Sequence, residues 1–483
     1  MRPILQIATA AVMVTAGCQV GPDYTTPEMP LPDDFAWTDG AEELPPEYPA
    51  EWWTLFNDPV LDSLVARATA NNFNLRIAAE RIDQYRSQYS IASADLYPDI
   101  QAVAAYSRNR VPATDFGSAG SSQGGAFNSW GIGVDASWEI DLFGQIARGI
   151  EAAVGDLQAE VENWRYTMIS LRAEVASSYM SLRTLQARLG VANRNIESQR
   201  RYVELLNQQL TMGTTTAGTV AQADAVLAQF EALIPQFGVS MSAEMANLAI
   251  LLGTTPGALT RTIPAGQGIP AVPTEIAVGI PADLLRRRPD IRAAERTLAA
   301  ATARIGQATA DLYPKLSLTG QFGFSASSAT DLFQWASRSY NFGPSFTWDF
   351  FNGDRIRSVV NQQESLTRQA LLEYENTVVQ AIGEVESNLV GFALAAQQRN
   401  ILAEAAESAQ LAYDLLLDQY EHGVTSFLTV IIVQQSLLQT QDSLAQARGL
   451  CAETMVELYR SIGGGWTTGV LPTLASETKD SSS

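Results

Sequence analysis

His422 is the single histidine of the chain, and a metal centre or a general base would have to begin there. It sits beside Gly423 at the end of a helical stretch, where an imidazole acts as a terminal cap or dipole partner. No cysteine pair and no Asp/Glu cluster at ligand spacing accompanies it, so no metal site is expected. Gly131-Ile132-Gly133 has the glycines of a dinucleotide loop, yet it lies inside an alternating strand pattern and not between a strand and a helix. Gly463-Gly464-Gly465 lacks the Lys-Ser/Thr that would hold a phosphate and reads as a helix stop. The methionines are scattered and form no thioether cluster for copper. These residues predict a protein that is not an enzyme and has no cofactor.

The one covalent chemistry indicated is at Cys18. Met1-Arg2 gives a short positive region, Ile4 to Val14 an apolar run too short to span a bilayer, and Thr15-Ala16-Gly17 a small-residue cleavage site. Residues 1–17 resemble the bacterial lipoprotein signal, in which the cysteine thiol is acylated and becomes the first mature residue. Thr15 stands where leucine is usual, and an ordinary secretory signal with an incidental cysteine is the alternative. Cys451 alone would then remain, so no intramolecular disulfide is expected. It reads as a helix-face residue without chemistry.

The acids outnumber the bases, 52 to 31, for a net charge of −21. That balance disfavours nucleic acid and disfavours a basic patch for anionic headgroups. The chain also repeats itself. Ala94-Asp95-Leu96-Tyr97-Pro98 returns as Ala310-Asp311-Leu312-Tyr313-Pro314, Trp138 as Trp348, Gly213 as Gly423, and Leu252-Gly253 as Ile462-Gly463. Two copies of one unit imply a duplicated architecture.

Each copy carries strands. From Ser129 to Ile140, Trp130, Ile132, Val134, Ala136, Trp138 and Ile140 alternate with Ser129, Gly131, Gly133, Asp135, Ser137 and Glu139. Asn341 to Phe350 repeats the pattern, with Phe342, Phe346, Trp348 and Phe350 opposite Asn341, Ser345, Thr347 and Asp349. Residues 316–325 alternate likewise, and residues 100–110 form a weaker fourth strand. Such lengths suit tilted membrane-spanning strands of roughly 9 to 11 residues, with an apolar face for lipid and a polar face for a wet interior. A soluble sandwich strand alternates in the same way; the aromatics on one face and the Gly and Ser on the other favour the membrane barrel. On that reading Asp135, Glu139 and Asp349 face the lumen and give a mild cation preference. Four strands cannot close a barrel, which needs about eight or more. The strand edges must therefore be covered by oligomerisation.

Long helices follow each strand pair, from about Gly144 to Thr211 and from Asp354 to Glu421. Leu157, Val161, Trp164, Met168, Leu171 and Val175 recur at steps of four and three, as do Val378, Ile382, Val385 and Leu389. This is a coiled-coil spacing, and each helix spans roughly 100 Å. Gly213 and Gly423 end them within Thr-rich turns, in the position of a left-handed cap.

Three motifs carry a family resemblance. Cys18-Gln19-Val20-Gly21-Pro22-Asp23-Tyr24, Glu51-Trp52-Trp53-Thr54-Leu55-Phe56-Asn57-Asp58-Pro59 and Arg287-Arg288-Pro289-Asp290-Ile291-Arg292-Ala293-Ala294-Glu295 resemble the lipoprotein branch of the TolC-type outer-membrane efflux family, over roughly residues 18–463. The resemblance implies a mainly α protein with a membrane β-barrel portion. In it a homotrimer forms a twelve-stranded barrel continued by a long periplasmic α-helical barrel. It also implies a lipid-anchored outer-membrane location, a periplasmic adaptor, and an inner-membrane pump of the resistance-nodulation-division type. The function implied is passive, gated export of drugs or toxic small molecules; a protein-secretion duct and a structural envelope lipoprotein are the alternatives. The family's periplasmic gate falls on the stretch from Tyr420 to Ile432. Tyr420 fits a gate tyrosine, whereas Thr429 and Ile432 stand where family members often have aspartates. The expected gate closes by apolar packing around Ile432 with hydroxyls from Thr425 and Thr429; the alternative is that Ile432 is helix core.

The resulting organisation is a signal at 1–17, an extended acidic segment at 18–57, repeat 1 at 58–253, a Pro/Gly-rich crossing linker at 254–281, repeat 2 at 282–463, and a polar, disordered tail at 464–483.

Overall fold

The computed structural model describes residues 19–29, 42–43, 50–110, 126–259, 263–264, 268–272, 277–278 and 287–466. Two compact units share the chain. The first takes Met1–Glu28, Arg81–Glu160 and Ala293–Tyr374, and the second Met29–Glu80, Val161–Arg292 and Glu375–Ser483.

The first unit holds a four-stranded antiparallel sheet. β2 (Asp99–Arg110), β3 (Ala126–Ile140), β5 (Lys315–Ala326) and β6 (Arg338–Thr347) are paired in that order. Side chains alternate between faces along each strand, and the register lines up like with like. One face carries the row Gln101, Asp135, Gln321, Asn341 and, next to it, Asp99, Ser137, Thr319, Gly343. The opposite face carries Ala102, Val134, Phe322, Tyr340 and Trp138, Leu318, Pro344. Aromatic side chains there stand in the open, Phe342 at 76 % exposure. β2 and β6 are the sheet's edges, and an unpaired edge row of N–H and C=O groups invites another chain.

The strand expected at Asn341 to Phe350 is displaced. β6 begins at Arg338 and stops at Thr347, so Trp348, Asp349 and Phe350 lie beyond it. Trp348 instead donates its indole N–H to the Leu312 carbonyl at 3.1 Å. Its twin Trp138 makes the same bond to Leu96 at 3.0 Å, so a tryptophan clasps each repeated Tyr-Pro turn.

Helices α1 (Pro59–Asn71) and α2 (Phe73–Ala94) open the first copy. Helical periodicity runs in the sequence from Asp58-Pro59 to about Leu96, and the helix breaks at Asn72, whose Oδ1 accepts from the Leu75 N–H and whose amide donates to the Leu251 carbonyl. α3 (Gln145–Thr211) and α8 (Arg355–Glu421) are 67 residues each. α4 (Ala217–Glu231), α5 (Leu233–Leu251) and the short α6 (Pro256–Leu259) follow α3. α7 (Pro289–Ala310) opens the second copy, and α9 (Phe427–Ser461) closes it as one helix of 35 residues. Among the described residues no helix is long and apolar enough to cross a membrane.

Within the second unit α3 and α9 pack antiparallel. Arg188 pairs with Asp442 at 2.7 Å and the Ser181 hydroxyl donates to Glu453 at 2.7 Å. Gly449 of α9 lies so close to Thr184 that a Cβ would clash. Its lack of a side chain sets the approach of the two helices. α1 buries Leu61, Leu64, Val65 and Ala68, one helical face, each large aliphatic contributing about 1.5–3 kcal/mol. Its N-cap, Asp58, accepts from the Val60 and Leu61 N–H groups through Oδ1 and from the Tyr179 hydroxyl at 2.6 Å through Oδ2. The fully buried Arg183 donates to the Tyr179 oxygen and to the Pro264 carbonyl.

Two expectations at the chain's ends need correction. The segment 18–57 is not extended throughout: Trp52–Phe56 forms a 3₁₀ turn with Trp52, Trp53 and Phe56 buried, and Trp52 stacks on Tyr459 at 5.6 Å. β1 (Glu42–Glu43) pairs in parallel with β4 (Ala277–Val278). The tail does not begin at Gly464. Gly464 and Gly465 are buried, and the Trp466 ring receives both Arg165 and Arg292, at 4.8 and 5.3 Å. The hydrophobic anchors at 52–56 and 466 outweigh the polar composition of their neighbourhoods.

Candidate conduit and gate

The polar face of the sheet is its inner face. A cleft of about 370 Å³ on that side is lined from all four strands, by Asp99 and Gln101, Asp135 and Ser137, Thr319 and Gln321, and Asn341. The sheet therefore curls toward its polar rows and leaves the aromatics outside. Asp135 sits between Gln101 and Gln321 in register, and its Oδ1 is buried without a hydrogen-bond partner. Asp99 and Ser137 also line a second cleft, of about 800 Å³, which continues past Glu139, Asp95 and Gln145 to the Asp156–Arg304 ion pair. The two clefts thus adjoin at Asp99 and Ser137 and make one polar groove, an open passage along the first unit.

Of the three expected lumen acids, Asp135 and Glu139 lie on this passage. Asp349 does not: it is beyond β6, exposed, and 3.8 Å from Arg355. Alternation alone assigned it to a strand that ends two residues earlier. Asp99 and Asp95 are acids of the passage that the sequence reading missed. The strand register, which brings Asp99 opposite Ser137, is the signal that finds Asp99. The corresponding acid of the second copy, Asp311, is bound by Lys315 at 2.9 Å, so the negative lining belongs to the first copy.

Cys18 lies outside the described residues. Its neighbours are firmly placed on the first unit. The Val20 N–H donates to the Phe143 carbonyl, just past β3, at 3.2 Å. Arg148, buried, donates to the Val20 carbonyl and pairs with Asp23 at 2.6 Å. Gly21, at φ 93°, rests on the backbone of Gly306, where no side chain would fit. Tyr24 donates to Glu295 at 3.2 Å; burial and then the Glu295 charge push its phenol up to about 12. The chain leaves Gln19 beside Gly144, next to the stacked Phe143 and Tyr313 rings, 4.7 Å apart, at the base of the strands.

At the turn after α8 the Gly423 N–H donates to the Tyr420 carbonyl and the Val424 N–H to Gln419, as Gly213 and Thr214 do to Leu210 and Gln209. Both glycines have φ 75°, a conformation that glycine adopts freely. Tyr420 donates to Gln209 of α3 at 3.2 Å and leans on Phe427 at 5.3 Å. Thr429 shares a hydroxyl contact with Ser426 at 3.1 Å, and Thr425 is half-buried. Val430 and Ile431 enter the apolar core of this end, whereas Ile432 is 58 % exposed. Within this chain Ile432 is therefore not core. Leu428, one helical turn before Ile432, is exposed as well, and so is Val424 in the turn ahead of α9. His422 caps the end of α8, its Nδ1 2.8 Å from the Asp418 carbonyl.

Among the described residues no group of three or more His, Cys, Asp or Glu side chains is placed to hold a metal. Cys451 is buried, its thiol pushed up by burial.

Comparison with known proteins agrees with this geometry. The model of the family described as "Outer membrane efflux protein" matches residues 64–254 and 280–464. Nodulation protein T of Rhizobium leguminosarum bv. trifolii is 31% identical over 456 residues, 94% of this chain and 96% of that protein. The toluene efflux pump outer membrane protein TtgC of Pseudomonas putida is 30% identical over 472 residues, 96% of each. The solved outer-membrane channel OprN superposes with a TM-score of 0.86 at 31% identity, covering 93% of this chain and all of that one. With the fold of the TolC-like outer-membrane channels, the chain belongs to the outer membrane efflux protein family.

Proposed function

We propose that this outer-membrane efflux duct works as a homotrimer, each chain giving its four strands to a twelve-stranded barrel and its long helices to a periplasmic tunnel. The observation that carries the reading is the sheet itself. Its two edges are open, its aromatic face is exposed, and its polar face encloses a cleft. Four strands are too few to close, and identical copies joined edge to edge satisfy every edge group. Acyl chains on Cys18 would enter the membrane beside the Phe143–Tyr313 pair. Several acyl chains on one residue hold stably, and this hold adds to that of the barrel. The turn from Tyr420 to Ile432 is the periplasmic gate, opened by a periplasmic adaptor that links the duct to an inner-membrane pump of the resistance-nodulation-division type. The cargo is drugs or toxic small molecules, chosen by the pump.

Reconstitution of the purified full-length protein into planar bilayers tests this. The expected result is a complex with the mass of three chains and discrete conductance steps. A monomeric, non-conducting preparation that is correctly folded would overturn the reading. Mass spectrometry of the mature N-terminus tests the lipid, which Cys18→Ser would remove.

A further inference from the structure

The second unit carries another cleft, of about 590 Å³, bordered by α3, α8, α9 and the linker residues Gly268 and Ile269. Arg194 of α3 and Arg448 of α9 both line it. Nearby arginines of the helical body are neutralised: Arg188 by Asp442, Arg200 by Glu231, Arg201 by Glu197. Among the described residues Arg194 and Arg448 have neither an ion pair nor a hydrogen bond. Both are solvent-exposed, so two guanidinium forks on one cleft stand open to an anionic ligand.

The amides around them leave donors in excess. Gln186 accepts from Arg183 through its oxygen at 2.9 Å, which leaves its N–H groups for another acceptor. Gln441 donates to Gln410 at 3.1 Å, and Gln410 donates to Asp414 at 2.9 Å, so the carboxamide chain is already directed. Guanidinium forks match carboxylates in planar, bidentate geometry. The remaining lining is apolar, from Val191, Leu444 and Ala445. An inorganic anion would need neither that floor nor that volume, whereas the aliphatic side chains of a peptide would use both.

We propose that this cleft is a docking site for an acidic peptide segment that also carries apolar residues, its carboxylates received by Arg194 and Arg448. The site shares no residue with the passage or the gate, and its loss leaves conduction intact.

The test is fluorescence anisotropy on the full-length protein in detergent, with a labelled, amidated Glu-Leu-Glu-Leu-Glu peptide as probe and Gln-Leu-Gln-Leu-Gln as control. The acidic peptide is expected to bind, weaken with salt, and lose about tenfold in affinity in Arg194→Gln/Arg448→Gln, while single-channel conductance stays at the wild-type value. Arg→Lys at both positions should retain part of the binding. Three outcomes would each overturn the proposal: no binding of the acidic peptide, equal binding of the Gln peptide, or full displacement of the probe by equimolar inorganic phosphate. A double variant that binds normally would overturn it as well. Conductance lost in a folded double variant would place the two arginines on the passage and refute the separate site.

Discussion

The hydroxyls of Tyr202 on α3 and Tyr413 on α8 lie 2.7 Å apart, and one heptad further on Tyr420 donates to Gln209 at 3.2 Å. Both pairs join residues 211 positions apart in sequence. The long helices of the two copies therefore run parallel and in matching register at their glycine-turn end. Tyr202 and Tyr420 both contact Phe427 at the start of α9, so the returning helix is wedged against the pair. Burial, then the hydrogen bond to Tyr413, holds the Tyr202 phenol far above its ordinary range. The link between the helices is consequently a neutral one across physiological pH.

A neutral, half-buried hydrogen bond contributes about 0.5–1.5 kcal/mol. If the Tyr420–Gln209 bond holds the gate closed, Tyr420→Phe should raise the open probability by roughly twofold to tenfold in single-channel recordings. Tyr413→Phe, one heptad back, should do the same to a smaller extent. Unchanged closed-state occupancy in both variants would remove these tyrosines from gating.

What the sequence revealed, and what it hid, follows from the physics of each element. Strand alternation at Ser129 to Ile140 is visible because lipid and water sit on opposite faces, and the heptads of α3 are visible because they pack over many turns. The end of β6 was hidden because Trp348 and Phe350 keep the alternation going, although position 348 falls opposite Pro314, which has no N–H to give to the ladder. The break at Asn72 was hidden because the apolar pattern continues through it, and only the tertiary bond to Leu251 marks it. Asp99 could not be placed on the passage without the register to Ser137. Trp466 was concealed by a polar tail, since its partners Arg165 and Arg292 are remote in sequence.

Asp58 joins a helix cap to a buried hydroxyl, using one oxygen for each. Asp58→Ala loses a cap of about 0.5–2 kcal/mol and leaves Tyr179 without its acceptor at about 1–3 kcal/mol. A combined loss of roughly 1.5–5 kcal/mol is expected in denaturant unfolding. Asp58→Asn keeps the cap oxygen and loses the second acceptor, so it should fall between Asp58→Ala and wild type. Equal loss in the two variants would show that the cap contributes nothing.

His422 supplies a pH signal at the glycine turn. Its bond to the Asp418 carbonyl, and then the Asp418 charge, raise its pKa above the ordinary 6.5. The sign follows: the contribution to stability is fully present below pH 6.5 and is lost as pH rises through the higher folded value. The imidazole resonance should titrate with a midpoint above 6.5, and Asp418→Asn should bring that midpoint down. A midpoint at or below the ordinary value would contradict the geometry at Asp418.

The passage makes a more selective statement about ions than alternation alone. Asp135 and Glu139 line it together with Asp99 and Asp95, whereas Asp349 stands outside beside Arg355. Carboxylates facing a narrow, water-filled path attract cations through a field that protein walls concentrate. Each chain of an assembled channel would repeat the set. Asp135→Asn with Glu139→Gln should therefore move the reversal potential in a salt gradient toward zero, and the shift should shrink at high ionic strength as screening takes over. Asp349→Asn is the internal control and should leave the reversal potential within error of wild type. A larger shift from Asp349→Asn than from Asp135→Asn would mean that the passage follows the face of β6 beyond Thr347 and not the rows centred on Asp135.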